Sequence, residues 1–129
     1  MKYLLDTAVF LWMIFDEPGK LTKKVLAVLK DDNNKLFFSA ASAWEIAIKH
    51  SIGKLKLKKN PVDWLPNVII KMGLHPLPVT QQHAFAIMKL PTYHRDLFDR
   101  MLICQAKRDK ISIVTPDPVF KKYKVTVIW

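Results

Sequence analysis

Apolar positions along this chain follow two alternating rhythms. Short unbroken runs at Lys2 to Asp6, Leu36 to Ser39 and Ile111 to Thr115 show no polar alternation. Runs of that length read as strands covered on both faces. Longer stretches carry apolar residues at helical spacing, at Thr7 to Phe15, Thr22 to Leu29, Ser42 to Ile52, Pro61 to Met72, Thr80 to Lys89 and Asp96 to Lys107. Asp31-Asp32-Asn33-Asn34 is a turn before the second strand, Thr80 is a helix cap, and Gly53 and Gly73 are stops. Pro66 predicts a break or restart within its helix. His75 to Val79 reads as a short strand interrupted by prolines, Pro118 to Lys122 as one helical turn, and Val125 to Ile128 as a closing strand. Strands alternating with helices predict an α/β domain with a mainly parallel sheet. Such sheets bind ligands beyond the carboxyl ends of their strands, where the strand order reverses. Residues directly after each strand are therefore the first candidates for a site.

The 129 residues suit one domain, 1–129, with no internal repeat and no low-complexity segment. A single cysteine, Cys104, excludes an internal disulfide framework, and its neighbours Leu102, Ile103 and Ala106 make it a core residue. The opening MKYLLDTAVFLWMIF has the look of a leader, but Asp6 interrupts it and Asp16-Glu17-Pro18 stands where a small-residue cleavage site belongs. No stretch reaches the roughly 18 apolar residues that span a bilayer. The chain is expected to be soluble and cytoplasmic, without membrane contact.

Charge adds a partner class. Lys and Arg number 21 against 11 Asp and Glu, a formal net charge of +10. The expected partner is anionic, with nucleic acid foremost. Eighteen of the basic residues are Lys, against Arg95, Arg100 and Arg108. Lysine is a point charge suited to phosphate backbone more than to base edges. Lys49, His50, Lys54, Lys56, Lys58 and Lys59 could track such a backbone, or form a solvated face.

Five of the acids stand in unusual places. Asp6 and Asp117 follow apolar strands. Asp6 also suits a helix N-cap, and Asp117, between two prolines, a turn. Glu45 lies in SAASAWEIAIKH, where Ser42 and Glu45 fit a capping box and Glu45 and Lys49 an ion pair. Asp96 and Asp99 open the helix of HRDLFDRMLICQA, Asp96 as its cap. Each has an ordinary structural explanation. Taken together, a parallel sheet would let Asp6, Glu45, Asp99 and Asp117 converge at one end. Clustered carboxylates repel unless a cation neutralises them, and Mg²⁺ or Mn²⁺ is the natural oxygen-seeking choice. Such an ion on a basic protein points to phosphodiester hydrolysis by an activated water. No P-loop, dinucleotide-binding GxGxxG, HExxH zinc motif or G-x-S-x-G elbow is present.

With LLDTAVFLW, SAASAWEIAIKHSIGKL, HRDLFDRMLICQA, TPDPVF and VTVIW in this order, the chain resembles a PIN-domain ribonuclease, most closely the VapC-type toxins of toxin–antitoxin pairs. The resemblance spans nearly the whole length. It implies a three-layer α/β/α sandwich around a parallel sheet, and a metal-dependent endoribonuclease acting on RNA. Its metal ligands would be Asp6, Glu45, Asp99 and Asp117, with Thr7, Asp96 and Thr115 in support. Arg95, Arg100 and Lys49 are candidates to hold the substrate phosphates. The resemblance further implies a homodimer and a cognate VapB-type antitoxin lying in a groove, which Phe10, Leu11, Trp12 and Trp44 could line. Ala8 stands where the subgroup often has a polar residue. The alternative is a catalytically silent module of the same fold that binds RNA or antitoxin. A phosphatase using Asp6 as nucleophile would want a second Asp at position 8.

Overall fold

In the computed structural model, which describes residues 1–129, five strands form one wholly parallel sheet. They are β1 (Lys2–Leu5), β2 (Lys35–Ser39), β3 (His75–Leu77), β4 (Ser112–Val114) and β5 (Val127–Ile128), in the order β3-β2-β1-β4-β5. The helices are α1 (Thr7–Ile14), α2 (Lys23–Lys30), α3 (Ala40–Ser51), α4 (Pro61–Lys71), α5 (Gln81–Ala86) and α6 (Leu97–Asp109). Short 3₁₀ turns occupy Pro18–Lys20, Ile87–Lys89 and Pro118–Tyr123. From β1 the chain builds outward to β2 and β3, then returns to lay β4 and β5 on the other side. The strand order thus reverses between β1 and β4, which pair through Tyr3–Ser112, Leu4–Ile113 and Leu5–Val114.

Period-two alternation divides the core between the two faces of the sheet. Leu4 and Ile113 point to one side, with Leu102, Ile103, Cys104 and Ala106 of α6 and with Phe120 and Tyr123. Tyr3, Leu5, Leu36, Phe38 and Val114 point to the other, against Val9 and Phe10 of α1, Val25 of α2, Ile46 of α3 and Leu65 of α4. The result is the α/β/α sandwich expected of the chain. Cys104 is buried, as its apolar neighbours predict.

Three expectations need correction. Pro66 does not break its helix: α4 runs continuously from Pro61 to Lys71. Pro66 faces solvent, so the carbonyl it leaves without a partner can be hydrated, while Leu65 stays buried. Thr80 to Lys89 is a short α-helix followed by a 3₁₀ turn, not one helix. The third concerns α3, which begins at Ala40, two residues before the expected Ser42. Ser39, the last residue of β2, caps it by accepting from the Ala41 N–H at 3.0 Å. Gly53 and Gly73 take positive φ (77° and 68°) just past α3 and α4, where glycine avoids the left-handed penalty. The two prolines around β3 are tolerated because β3 is an edge strand.

Candidate active site

Asp6 is the first residue after β1, and Thr115 the first after β4. The two therefore meet across the switch point. The Thr115 hydroxyl donates to Asp6 Oδ2 at 2.7 Å, and its oxygen accepts from the Asp117 N–H at 3.2 Å. One buried hydroxyl thus joins two of the acids. Asp117 in turn caps the 3₁₀ turn at Pro118 by accepting from the Val119 N–H at 3.0 Å. Asp6 has the backbone conformation of an N-cap for α1, yet its carboxylate makes no full capping hydrogen bond. The Thr7 and Ala8 N–H groups lie close enough only to favour its ionised form.

Glu45 comes from the second turn of α3, which the earlier helix start turns toward the sheet's end. No capping box with Ser42 forms; Ser42 Oγ instead accepts from the Thr7 hydroxyl at 2.8 Å, pinning α3 to α1. Glu45 is buried and accepts from Lys49 Nζ across one helical turn. Asp99 is the third residue of α6. Asp96 caps that helix by accepting from the Asp99 N–H at 2.9 Å, and remains exposed.

These elements enclose a cleft of about 340 Å³, lined by Asp6, Thr7, Ala8, Leu11, Glu45, Ile46, Lys49, Leu55, Asp99, Pro116 and Asp117. All four acids expected as ligands reach it, as do Thr7 and Lys49. Larger clefts elsewhere on the surface gather no comparable set of carboxylates.

Electrostatics mark the cleft as short of positive charge. Burial pushes the Asp6 carboxyl above its ordinary range, the Thr115 hydrogen bond opposes that, and Glu45 adds to it. Asp99 is pushed up to about 8, first by burial and then by Asp6, Asp96, Glu45 and Asp117 together. Lys49 is held protonated by its bond to Glu45, and is the cation in the cleft wall. No three acidic, thiol or imidazole groups stand close enough to close on one ion unaided. The donor set still fits a hard divalent cation, since Mg²⁺ keeps several waters and needs only one or two direct carboxylates.

Some candidates are placed elsewhere. Arg100, expected at the substrate phosphate, is buried and turned inward. Its Nη1 donates to the Pro91 carbonyl at 2.7 Å and to the Tyr123 hydroxyl at 3.3 Å. Neither does it pair with Asp96 or Asp99. Arg95 is exposed beside the start of α6, outside the cleft wall. Of the expected groove residues, Phe10 is core, 4.4 Å from Phe38 between ring centroids. Leu11 lines the cleft, Trp12 packs on Trp129, and Trp44 stands out against Phe98. Lys56, Lys58 and Lys59 border a separate cleft with Ile14, Phe15, Leu57 and Trp64. Sequence reasoning missed His94, whose Nε2 lies 3.2 Å from Asp99 Oδ2. Its place at the head of HRDLFDR was the available signal.

A wholly parallel sheet flanked by helices, with an acidic cleft at its switch point, defines an α/β protein. Residues 3–125 match the PIN domain family model, and the chain belongs to that family. A 57-residue stretch is 39% identical to "Ribonuclease VapC16" of Mycobacterium tuberculosis (strain ATCC 25618 / H37Rv), covering 44% of this chain and 40% of that protein. The matched stretch thus spans about two fifths of that relative. The fold is shared with a chain of VapBC2 from Rickettsia felis bound to a DNA fragment from their promoter, at a TM-score of 0.74 and 19% identity, over 99% of this chain and 98% of that one. It is shared also with a chain of DNA-bound VapBC from Salmonella typhimurium, at 0.69 and 16%, over 99% and 97%. No helix is long and apolar enough to cross a membrane.

Proposed function

We propose that this chain is a metal-dependent endoribonuclease of the VapC type. The observation that carries the reading is the cleft itself. Asp6, Glu45, Asp99 and Asp117 meet at the switch point of a protein whose net charge is +10. Asp6, Glu45, Asp99 and Asp117 would hold the cation, Mg²⁺ or Mn²⁺. A divalent cation there supplies charge neutralisation and water activation for phosphodiester hydrolysis.

The chain's own groups do the rest. Thr115 orients Asp6 and, through the Asp117 N–H, fixes the loop that presents Asp117. Thr7 and Ser42 lock the two helices that form the cleft wall. Lys49 holds Glu45 and faces an incoming phosphate, and Arg95, exposed outside the cleft wall, would meet a neighbouring one. Lys56, Lys58 and Lys59 extend the positive surface along which an RNA backbone can run. Ala8 leaves the wall beside Asp6 without a polar side chain, which removes one contact to RNA and none of the four acids.

A VapB-type antitoxin would silence the site by covering the acids, a basic side chain meeting the charge deficit there. Leu11 in the cleft and exposed Trp44 supply apolar anchors for such a segment. The relatives named as VapBC complexes support that partner class. We assign the protein to the cytoplasm as a homodimer.

The test is cleavage of a mixed RNA pool by purified protein in Mg²⁺ and in EDTA, beside Asp6→Asn. Cleavage by the wild type in Mg²⁺ alone is expected. Cleavage by Asp6→Asn at the wild-type rate would sink the assignment. Metal binding without cleavage of any RNA would favour the silent binding module.

A further inference from the structure

The two ends of HRDLFDR, His94 and Arg100, are not explained by the acidic cleft, yet they converge on one atom, the hydroxyl oxygen of Tyr123. That oxygen is surrounded by donors. The N–H groups of Tyr93 and His94 reach it at 3.2 and 3.1 Å, and Arg100 Nη1 at 3.3 Å. None of these can receive the phenol's own hydrogen. The remaining neighbour is His94 Nδ1, at 2.7 Å. Hydrogen-bond bookkeeping therefore makes Tyr123 the donor and Nδ1 the acceptor. The ring proton then lies on Nε2, which faces Asp99 Oδ2 at 3.2 Å. Asp99 Oδ1 makes no hydrogen bond within the chain.

We infer that His94 is a positioning residue for Asp99, its tautomer set by the Tyr123 hydroxyl so that Nε2–H grips one carboxylate oxygen and leaves the other to the cleft. The inference rests on the reading that Asp99 helps to hold a divalent cation. Arg100 belongs to the same device. Its guanidinium bonds the carbonyls of Leu90 and Pro91 and the Tyr123 hydroxyl, fastening the loop before α6 to the 3₁₀ turn after β4. Tyr123 is buried and packs edge-on against Tyr93, with ring centroids 5.0 Å apart, so the chain of bonds has a rigid base. Asp99 stands at the start of a helix, where its side chain would otherwise choose among rotamers facing the cleft or solvent. A donor held from behind removes that choice.

Partners that orient a ligating group are commonly worth 10–100-fold in metal affinity. The position asks for a donor at Nε2, and glutamine can place an amide N–H there. Leucine keeps the bulk and removes the donor.

The experiment uses the full chain, metal-free, with Mn²⁺ as the probe. Calorimetric or paramagnetic titration gives the Mn²⁺ affinity of wild type, His94→Leu and His94→Gln, with Tm confirming that each is folded. Nitrogen-15 imidazole spectra of the metal-free wild type give the His94 tautomer directly. We expect the proton on Nε2, Mn²⁺ binding about 10–100-fold weaker in His94→Leu, and His94→Gln within about threefold of wild type. A proton resident on Nδ1 would overturn the inference. So would wild-type affinity in a folded His94→Leu, or His94→Gln as weak as His94→Leu. A wild type that binds no Mn²⁺ would instead overturn the cation reading of the cleft, and the spectra would then decide the His94 tautomer on their own.

Discussion

Helix α6 carries a histidine–aspartate pair at each end, and the two match closely in geometry. At its start His94 Nε2 lies 3.2 Å from Asp99 Oδ2; at its finish His83 Nε2 lies 3.1 Å from Asp109 Oδ2. Both imidazoles are set from behind by a donor to Nδ1, the Tyr123 hydroxyl in one case and the Thr80 N–H in the other. The surroundings differ. Asp99 is pushed up to about 8, first by burial and then by Asp6, Asp96, Glu45 and Asp117. Asp109 follows Lys107 and Arg108, precedes Lys110, and lies partly in solvent. His83 also completes the capping box of α5, so that pair ties α5 to α6. A histidine–aspartate contact is therefore no mark of function. What distinguishes Asp99 is a cleft that gathers four carboxylates around one cation, Lys49, which is already bonded to Glu45.

The largest expected contrast is in catalysis. Asp99→Asn should lower RNA cleavage by about 100-fold or more, since loss of a residue that only orients a ligand already costs about 10–100-fold. Asp109→Asn keeps an acceptor for His83 and should cleave within twofold of wild type. Equal losses at both ends would mean that α6 as a whole is being perturbed, and would remove the case for a local site.

Next comes ligand-linked stability. A cation that binds only the folded chain adds about 2.7 kcal/mol at 100 times its dissociation constant. Thermal melts with and without Mg²⁺ should show that gain in wild type and Asp109→Asn, and little of it in Asp99→Asn. A gain that survives in Asp99→Asn would place the cation elsewhere.

The other pair should be broken through stability alone. His83 is buried, accepts from the Thr80 N–H to complete the capping box of α5, and holds Asp109. His83→Ala should cost about 1–3 kcal/mol, from the lost capping-box bond to the Thr80 N–H and the lost buried contact to Asp109. Cleavage per folded molecule should not change, and denaturant unfolding beside a rate measurement on the folded fraction checks both. A rate loss beyond the loss of folded protein would give this end of α6 a role it lacks here.

The same two ends show what the sequence could and could not disclose. Asp6, Thr115 and Asp117 were legible because a parallel sheet delivers whatever follows its strands to one edge. Asp99 was legible as an acid directly before an apolar helix. Glu45 is legible as an acid among apolar neighbours, and its ion pair with Lys49 forms as expected, whereas the capping box with Ser42 does not. The sequence offers Ser42 as the cap, and in the fold Ser39, the last residue of β2, takes that place instead. Arg100 was placed at the phosphate because an arginine beside acids looks like a phosphate ligand. Its real partners are Tyr123, 23 residues further on, and carbonyls of the preceding loop. His94 went unassigned for the same reason, since its meaning depends on a hydroxyl 29 residues away. Strand ends and helix starts are local facts, whereas the bonds that hold a site residue from behind are tertiary ones.

The smallest contrast lies in the pH dependence of the metal-free protein. Asp99 moves from 3.8 to about 8 on folding, so the folded chain keeps a proton that the unfolded chain releases. By linkage, the stability this group contributes is complete below about pH 4 and is lost as pH rises to about 8. Asn at position 99 carries no such proton, so Tm of Asp99→Asn should exceed that of wild type near pH 9 and approach it near pH 5. Solvent at the cleft mouth screens the effect, which leaves a difference on the order of 1 kcal/mol, or a few degrees in a chain of this size. Saturating Mg²⁺ should cancel the wild-type loss at high pH by giving the ionised carboxylate its missing partner. Melts of Asp99→Asn that run parallel to wild type from acid to alkali would show that the crowding of carboxylates is already relieved by water, and the cleft would then lose its strongest electrostatic argument for a cation.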